Sequence, residues 1–403
     1  MNAIVVVLSA LGALYGLWFL LIALYGSHAK YEKLVRAHSF LRFAVIVPAR
    51  NEAGVVGHLA RSLLNQSYPR EKYDVFVVPN GCTDDTAGAA RAGGAIVLDC
   101  EVETHSKGDV LRFAFAKIPE LGEYDAYCIL DADNLAAPGF LRAANDAMRA
   151  GWQIAQGYRD SKNPADNWVA GATSVFFWLM NRYYNRARAS LGMSAALNGT
   201  GIVLRASLVE RLGWDVRTLT EDLEFSGICA AHGVKIGYIE DAVIYDEQPR
   251  SLRDSMVQRR RWFSGGMQCF RLLGGRLLRA RSLHALDMLL IFCGWIIQAL
   301  GLVPGILGAY AMYQKLSTGA LSIRSAAATG AAMLIIAYAA CALLAFWVIK
   351  REGKNARRMA STIWMFPIFL LTWIPANLWA MVTRPPKWTQ IAHVRSVDAP
   401  DIH

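Results

Sequence analysis

No two of the seven cysteines stand in a C-x-x-C pair. Scattered at positions 82, 100, 128, 229, 269, 293 and 341, they suggest neither a disulfide framework nor a zinc site. Residues 4–25 hold no charge at all, and no basic residue precedes them. A cleaved leader would want a basic start, a shorter apolar core and a small-residue cleavage site. The run therefore predicts an uncleaved anchor, long enough to cross a bilayer. Three later apolar stretches, near 285–312, 326–349 and 361–383, contain almost nothing ionisable beyond Asp287. That scarcity argues against a transporter or channel, whose spans carry such groups along the transport path.

What is present begins with those four stretches, each long enough to be a spanning helix. Pro304, Pro367 and Pro375 lie inside two of them, which membrane helices tolerate when neighbours satisfy the freed carbonyls. The chain divides into an anchor (1–27), a soluble α/β unit (38–248), an interfacial basic stretch (249–283), a membrane region (284–384) and a tail (385–403). Lys30, Lys33, Arg36 and Arg42 follow the first span, so the positive-inside bias puts the central unit in the cytoplasm. Lys350, Arg351, Lys354, Arg357 and Arg358, between the last two spans, belong inside as well. Four spans would leave the tail outside, yet it carries Arg384, Lys387 and Arg395; a re-entrant or interfacial segment would resolve the conflict. The expected place is the plasma or inner membrane. The net charge of +10 lies largely in membrane-flanking segments, so anionic lipid headgroups explain it more simply than nucleic acid does.

From residue 43 short β-rich runs alternate with helical patterns. FAVIVP (43–48), YDVFVV (73–78), AIVLDC (95–100) and AYCIL (126–130) read as strands. Helical windows at 83–92 and 107–118 separate them, and Val55, Val56, Leu59, Leu63 and Leu64 form an amphipathic stripe. Such alternation predicts a mostly parallel sheet, with ligands beyond the carboxyl ends of its strands.

The residues that carry chemistry follow those strands. Asp131-Ala132-Asp133 comes straight after the fourth, where two carboxylates can share Mg²⁺ or Mn²⁺ with a diphosphate; a solvated turn is the bland alternative. Thr220 reads as a helix N-cap with Glu221 and Asp222 in the first turn. A carboxylate held ionised there could accept a proton from a hydroxyl. Gln258-Arg259-Arg260-Arg261-Trp262 lies in a run of nine arginines between 250 and 281, which as a whole reads as a basic surface helix. Four-residue spacing puts Gln258 and Trp262 on one face. Arginine forks suit phosphate oxygens, and an indole suits a sugar ring. Smaller markers are Pro48–Glu52, Asn80–Thr86, His105–Gly108 and the glycine loop Asn198–Gly201. In the second of these, Thr83 with Asp84 and Asp85 reads mostly as a helix cap.

Taken in order, D-x-D, T-E-D and Q-x-x-R-W over about 43–265 resemble the inverting family-2 glycosyltransferases. The likeness is to the processive branch of cellulose, hyaluronan, chitin and poly-N-acetylglucosamine synthases. The resemblance implies a GT-A nucleotide-sugar-binding domain inserted between one N-terminal and about three C-terminal transmembrane helices. Carried over, Asp131 and Asp133 hold the diphosphate and a divalent metal (Mg²⁺ or Mn²⁺), with Asp133 the more direct ligand. Asp222 is then the general base. Gln258 and Arg261 contact the diphosphate, and Trp262 stacks on the acceptor sugar. Glu52 and Lys107 line the nucleotide pocket, with Gly199, Thr200 and Glu221 also facing substrate. The implied reaction is a single in-line displacement giving a β-linkage from an α-linked donor.

Two departures shape the expectation. Asn80, after Pro79, stands where family members place an aspartate against uracil; its amide still pairs a base edge, and UDP is the expected nucleotide. The membrane region is also small for a polymer channel, which implies a homo-oligomer, an export partner, or a short product. The leading expectation is a membrane transferase building a β-linked polysaccharide on a glycan acceptor. Its rival adds a single sugar to a membrane lipid.

Overall fold

A computed structural model describes residues 2–31 and 33–384. The tail at 385–403 lies outside the described residues.

Eight strands form one sheet: β1 (Phe43–Ala49), β2 (Tyr73–Pro79), β3 (Ile96–Val97), β4 (Ala126–Ile129), β5 (Leu135–Ala136), β6 (Ile154–Ser161), β7 (Ile202–Arg205) and β8 (Gly237–Asp246). Their spatial order is β3-β2-β1-β4-β7-β6-β8-β5. The half made of β3, β2, β1 and β4 is parallel. β7 then runs antiparallel to both β4 and β6, and β5 antiparallel to β8. The mostly parallel sheet expected from the first 130 residues is therefore mixed: the alternating pattern stops there, and the later strands pair without regular crossovers. The third strand shrinks to two residues because only Ile96 and Val97 find partners, on Phe76 and Val77.

Alternation along β1 sends side chains into two cores. Phe43, Val45 and Val47 pack with the helices Val56–Leu64 and Phe140–Arg149. Ala44 and Ile46 pack on the other face with the helix Lys107–Lys117. Because β1, β2 and β4 are parallel, their carboxyl ends open on one edge, and Pro48–Glu52, Asn80 and Asp131 meet there.

Among the described residues four helices are long and apolar enough to cross a membrane: Ala3–His28, Gly294–Ser317, Ile323–Arg351, and Ala360–Val382, the last assembled from Ala360–Leu371 and Trp373–Val382. The apolar stretch at 285–312 is divided at Cys293, and Leu283–Phe292 is a separate short helix. Asp287 in that helix pairs with buried Arg188 at 2.7 Å, and Trp18 of the first helix donates to it at 2.8 Å. A second apolar helix, Trp168–Leu179, packs against Ile323–Arg351 and Ala360–Leu371. One helix, Leu252–Ala280, carries the arginine run and packs against Glu221–Ala231 on one side and Trp373–Val382 on another.

Candidate active site

One cleft at the carboxyl edge of the sheet is lined by Glu52, Asn80, Lys107, Asp131, Asp133, Gly199, Glu221, Asp222, Gln258, Arg261 and Trp262. They come from several strand-end loops, two helix starts and the body of the helix Leu252–Ala280, and the fold brings them together. Thr200 is the exception among the expected residues. It is fully buried behind the cleft. Its hydroxyl donates to Asn134 Oδ1 and accepts from the Asp131 backbone N–H at 3.1 Å. Thr200 thus positions the carboxylate loop and does not face substrate.

That loop is held from several directions. Asn134 Oδ1 also accepts from the Asp131 backbone N–H at 3.2 Å, and Asn134 Nδ2 donates to Asp246 Oδ1 at 2.8 Å. Asp246 in turn pairs with the buried Arg159 guanidinium, which donates to the Asn198 carbonyl and lies 3.8 Å from the Phe177 ring centroid. The sequence offered no signal for Arg159, Asn134 or Asp246, since they lie up to 112 residues apart and form no motif.

Lys107 opens the helix Lys107–Lys117, capped by Ser106, whose hydroxyl accepts from the Asp109 N–H. Its Nζ donates to Asp131 Oδ1 at 2.5 Å and to the Gly199 carbonyl at 2.6 Å, and stands 3.5 Å from Glu221 Oε1. Burial alone would lower this ammonium, but Asp131, Glu221 and Asp222 around it outweigh burial and raise it above its ordinary value.

Asp222 sits in the first turn of the helix Glu221–Ala231. Burial in the concave cleft, then the neighbouring Glu221 carboxylate, push its carboxyl up to about 7; the Leu223 N–H, Lys107 and Arg261 oppose them. A group poised there exchanges protons near neutrality. Gly199 faces it: φ is +83°, and a Cβ would sit 3.5 Å from Asp222 Oδ2. Only glycine takes that left-handed backbone without strain.

Thr220 occupies the N-cap position, but its hydroxyl makes no capping bond. It turns toward Cys269, 3.9 Å away. The turn is held by Glu224, whose carboxylate accepts from the N–H groups of Arg217 and Thr218 at 2.8 and 2.7 Å. At the other helix expected to be capped here, Asp85 accepts from the Gly88 N–H while Asp84 braces Ala53 and Thr86, so neither acid faces the cleft.

The helix Leu252–Ala280 supplies Gln258, Arg261 and Trp262 to one wall. Gln258 Oε1 is buried with no hydrogen-bond partner among the described residues, which suits a group completed by ligand. Trp262 stacks near Phe176 (centroids 6.2 Å apart) and meets Phe177 and Trp373 edge-on or tilted. Arg259 points away from the cleft. It is buried against the apolar helix Ala360–Leu371, 4.5 Å from the Phe369 centroid and hydrogen-bonded to Thr372 Oγ1 at 2.9 Å.

Among the described residues no group of three or more His, Cys, Asp or Glu gathers to cage a metal. Asp131 and Asp133 both line the cleft. Two carboxylates completed by substrate phosphates are the donor set that Mg²⁺ or Mn²⁺ accepts, so the residues fit an ion that binds together with a diphosphate.

Comparisons with known proteins agree with this geometry. The model of the family described as glycosyltransferase like family 2 matches residues 41–265. The probable glycosyltransferase YdaM of Bacillus subtilis is 24% identical over 246 residues, covering 56% of this chain and 55% of that protein. The beta-monoglucosyldiacylglycerol synthase of Synechocystis sp. is 26% identical over 246 residues, covering 56% and 47%. These matches span about half the length of the curated relatives. The structure of the mannosyltransferase PcManGT from Pyrobaculum calidifontis, in complex with GDP-Man and Mn²⁺, superposes with a TM-score of 0.62 at 20% identity. It covers 94% of this chain and 98% of that one, and so shares the fold. The chain belongs to the family described as glycosyltransferase like family 2, with a GT-A-like α/β domain flanked by apolar helices.

Proposed function

We propose that the protein transfers one sugar from a nucleotide-sugar donor to the hydroxyl of a membrane lipid, with inversion, at the cytoplasmic membrane face. The observation that carries this reading is the wall made by Leu252–Ala280. One side of this helix presents Gln258, Arg261 and Trp262 to the cleft, while Arg259 on another side is clamped to the membrane helix. An acceptor arriving from the bilayer reaches Asp222 past this wall. The likeness to a beta-monoglucosyldiacylglycerol synthase supports the same choice.

In this reading the acceptor oxygen attacks the anomeric carbon as the bond from that carbon to the diphosphate oxygen breaks. The hydroxyl proton passes to Asp222, and the nucleoside diphosphate leaves. Lys107, Gln258 and Arg261 stabilise charge developing on the leaving oxygens. Glu52 and Asn80 line the nucleotide end. Asp133 and Asp131 would hold a divalent cation together with the donor phosphates, and that ion would supply further neutralisation of the charge.

A polysaccharide product is the second reading, favoured by one observation: the Trp262 indole lines the cleft, where it could support a repeating sugar acceptor. Purified protein with Mn²⁺ or Mg²⁺ is offered UDP-, GDP- and dTDP-sugars with diacylglycerol or oligosaccharide acceptors, and the radiolabelled product is sized. One sugar on diacylglycerol supports the lipid reading. A polymer on oligosaccharide replaces it with the second, and no turnover with any pair overturns both.

A further inference from the structure

A groove of about 510 Å³ opens between the helices Gly294–Ser317 and Trp373–Val382. Leu302 and Leu378 line it and are exposed, and Phe176 and Trp373 close its inner end. Those two rings belong to the aromatic cluster around Trp262, so the groove runs up to the back of the wall that faces Asp222. Bulk hydrocarbon could cover an apolar groove, but this one is not wholly apolar. Asn377, only 4% exposed, lines it and donates to Gln298 at 2.8 Å, leaving its Oδ1 with no partner among the described residues. Trp373 Nε1 is likewise buried and has no hydrogen-bond partner among the described residues. Polar groups without partners at membrane depth are expensive and mark places where something polar binds.

We infer that the groove holds the acyl chain of the acceptor lipid, with Asn377 and Trp373 meeting the polar junction between chain and head. The inference rests on the lipid-acceptor reading above and deepens it. The two unpaired atoms are one donor and one acceptor, a pair that the ester and hydroxyl groups of a diacylglycerol satisfy and an alkane does not. A lipid so seated lies with its chain between membrane helices and its free hydroxyl directed past Trp262 toward Asp222. The groove therefore selects acceptors by chain length, separately from the donor site.

The test uses the full-length chain in detergent, the donor that turns over in the panel, and dioctanoylglycerol or dipalmitoylglycerol as acceptor. Wild type should show the lower KM for the longer lipid. Leu378→Trp, which fills the groove, should raise the dipalmitoylglycerol KM roughly tenfold, equivalent to losing about two buried methylenes. Its affinity for the nucleoside diphosphate should not change. Asn377→Leu should raise the KM for both lipids. Glycolipid formation with an unchanged KM in Leu378→Trp would overturn the groove and leave the lipid reading standing. If wild type makes no glycolipid, the lipid reading fails and the groove assignment fails with it. Should Leu378→Trp not fold, wild type is photolabelled with a diacylglycerol carrying a diazirine in one chain. Labelling of Trp373–Val382 that dipalmitoylglycerol competes away and phosphatidylcholine does not supports the assignment; equal competition overturns it.

Discussion

A Cβ on Gly265 would stand 2.2 Å from Thr220 Oγ1. The helix that carries Gln258, Arg261 and Trp262 therefore lies against the turn that carries Asp222 because position 265 has no side chain. Gly265→Ala should force the two apart, and small misplacements at a reacting centre cost about 10²-fold in turnover. Adding Thr220→Ala removes the clashing hydroxyl and methyl. The double variant should recover part of the loss, a non-additivity read from kcat across the double-mutant cycle.

The raised Asp222 carboxyl sets a pH dependence. Ionised Asp222 is the form that accepts a proton, so kcat/KM should fall as pH drops below about 7. Asp222→Asn should lower kcat by roughly 10²–10⁴-fold while the nucleotide still binds. Stability moves the other way. Because the folded value lies above the ordinary 3.8, ionisation costs the fold nothing in strong acid and its full penalty above pH 7. The gain in Tm from Asp222→Asn should thus be larger at pH 8 than at pH 4, as followed by calorimetry.

Lys107 is a fixed cation among Asp131, Glu221 and Asp222. Lys107→Met leaves those carboxylates to repel one another and should lower Tm. An added cation should compensate in part. The rise in Tm on adding Mn²⁺ should then be greater in Lys107→Met than in wild type, and an equal rise would show that Lys107 and the ion do not share a field.

Asp287 ties three segments together through Arg188 and Trp18. Asp287→Asn leaves a buried guanidinium uncompensated, a loss of about 3–5 kcal/mol, and should loosen the first helix from the α/β domain. Arg188→Met with Asp287→Leu should be less damaging than Asp287→Asn alone, since no charge is then stranded. Hydrogen exchange in Asn2–His28 reads the difference.

Much of this was legible in the sequence because it is local. A strand-forming run followed by an acid places Asp131 at a strand end whatever the rest of the chain does. Uncharged runs of spanning length identify the apolar helices by composition alone. The T-E-D and Q-x-x-R-W spacings put Asp222 in a first turn and Gln258 and Trp262 on one helical face, since helical periodicity is short-ranged. Those properties depend on residues within a turn or two of each other.

Only the tertiary structure decided how these pieces meet. Thr200 reads as a loop residue facing substrate, yet it lies behind the loop because Asn134 and the Asp131 backbone claim its hydroxyl. Thr220 reads as a cap, but its hydroxyl makes no capping bond; Glu224 holds the preceding turn and Gly265 brings Cys269 to the threonine. The parallel half of the sheet is visible as strand–helix alternation, whereas β7 enters beside β4 through pairings 73 to 79 residues apart in sequence that no local pattern encodes. The chain alone thus determined which chemistry it carries. Folding decided which of those residues face the cleft and which hold it in place, because long-range packing and hydrogen bonding settle where a side chain points.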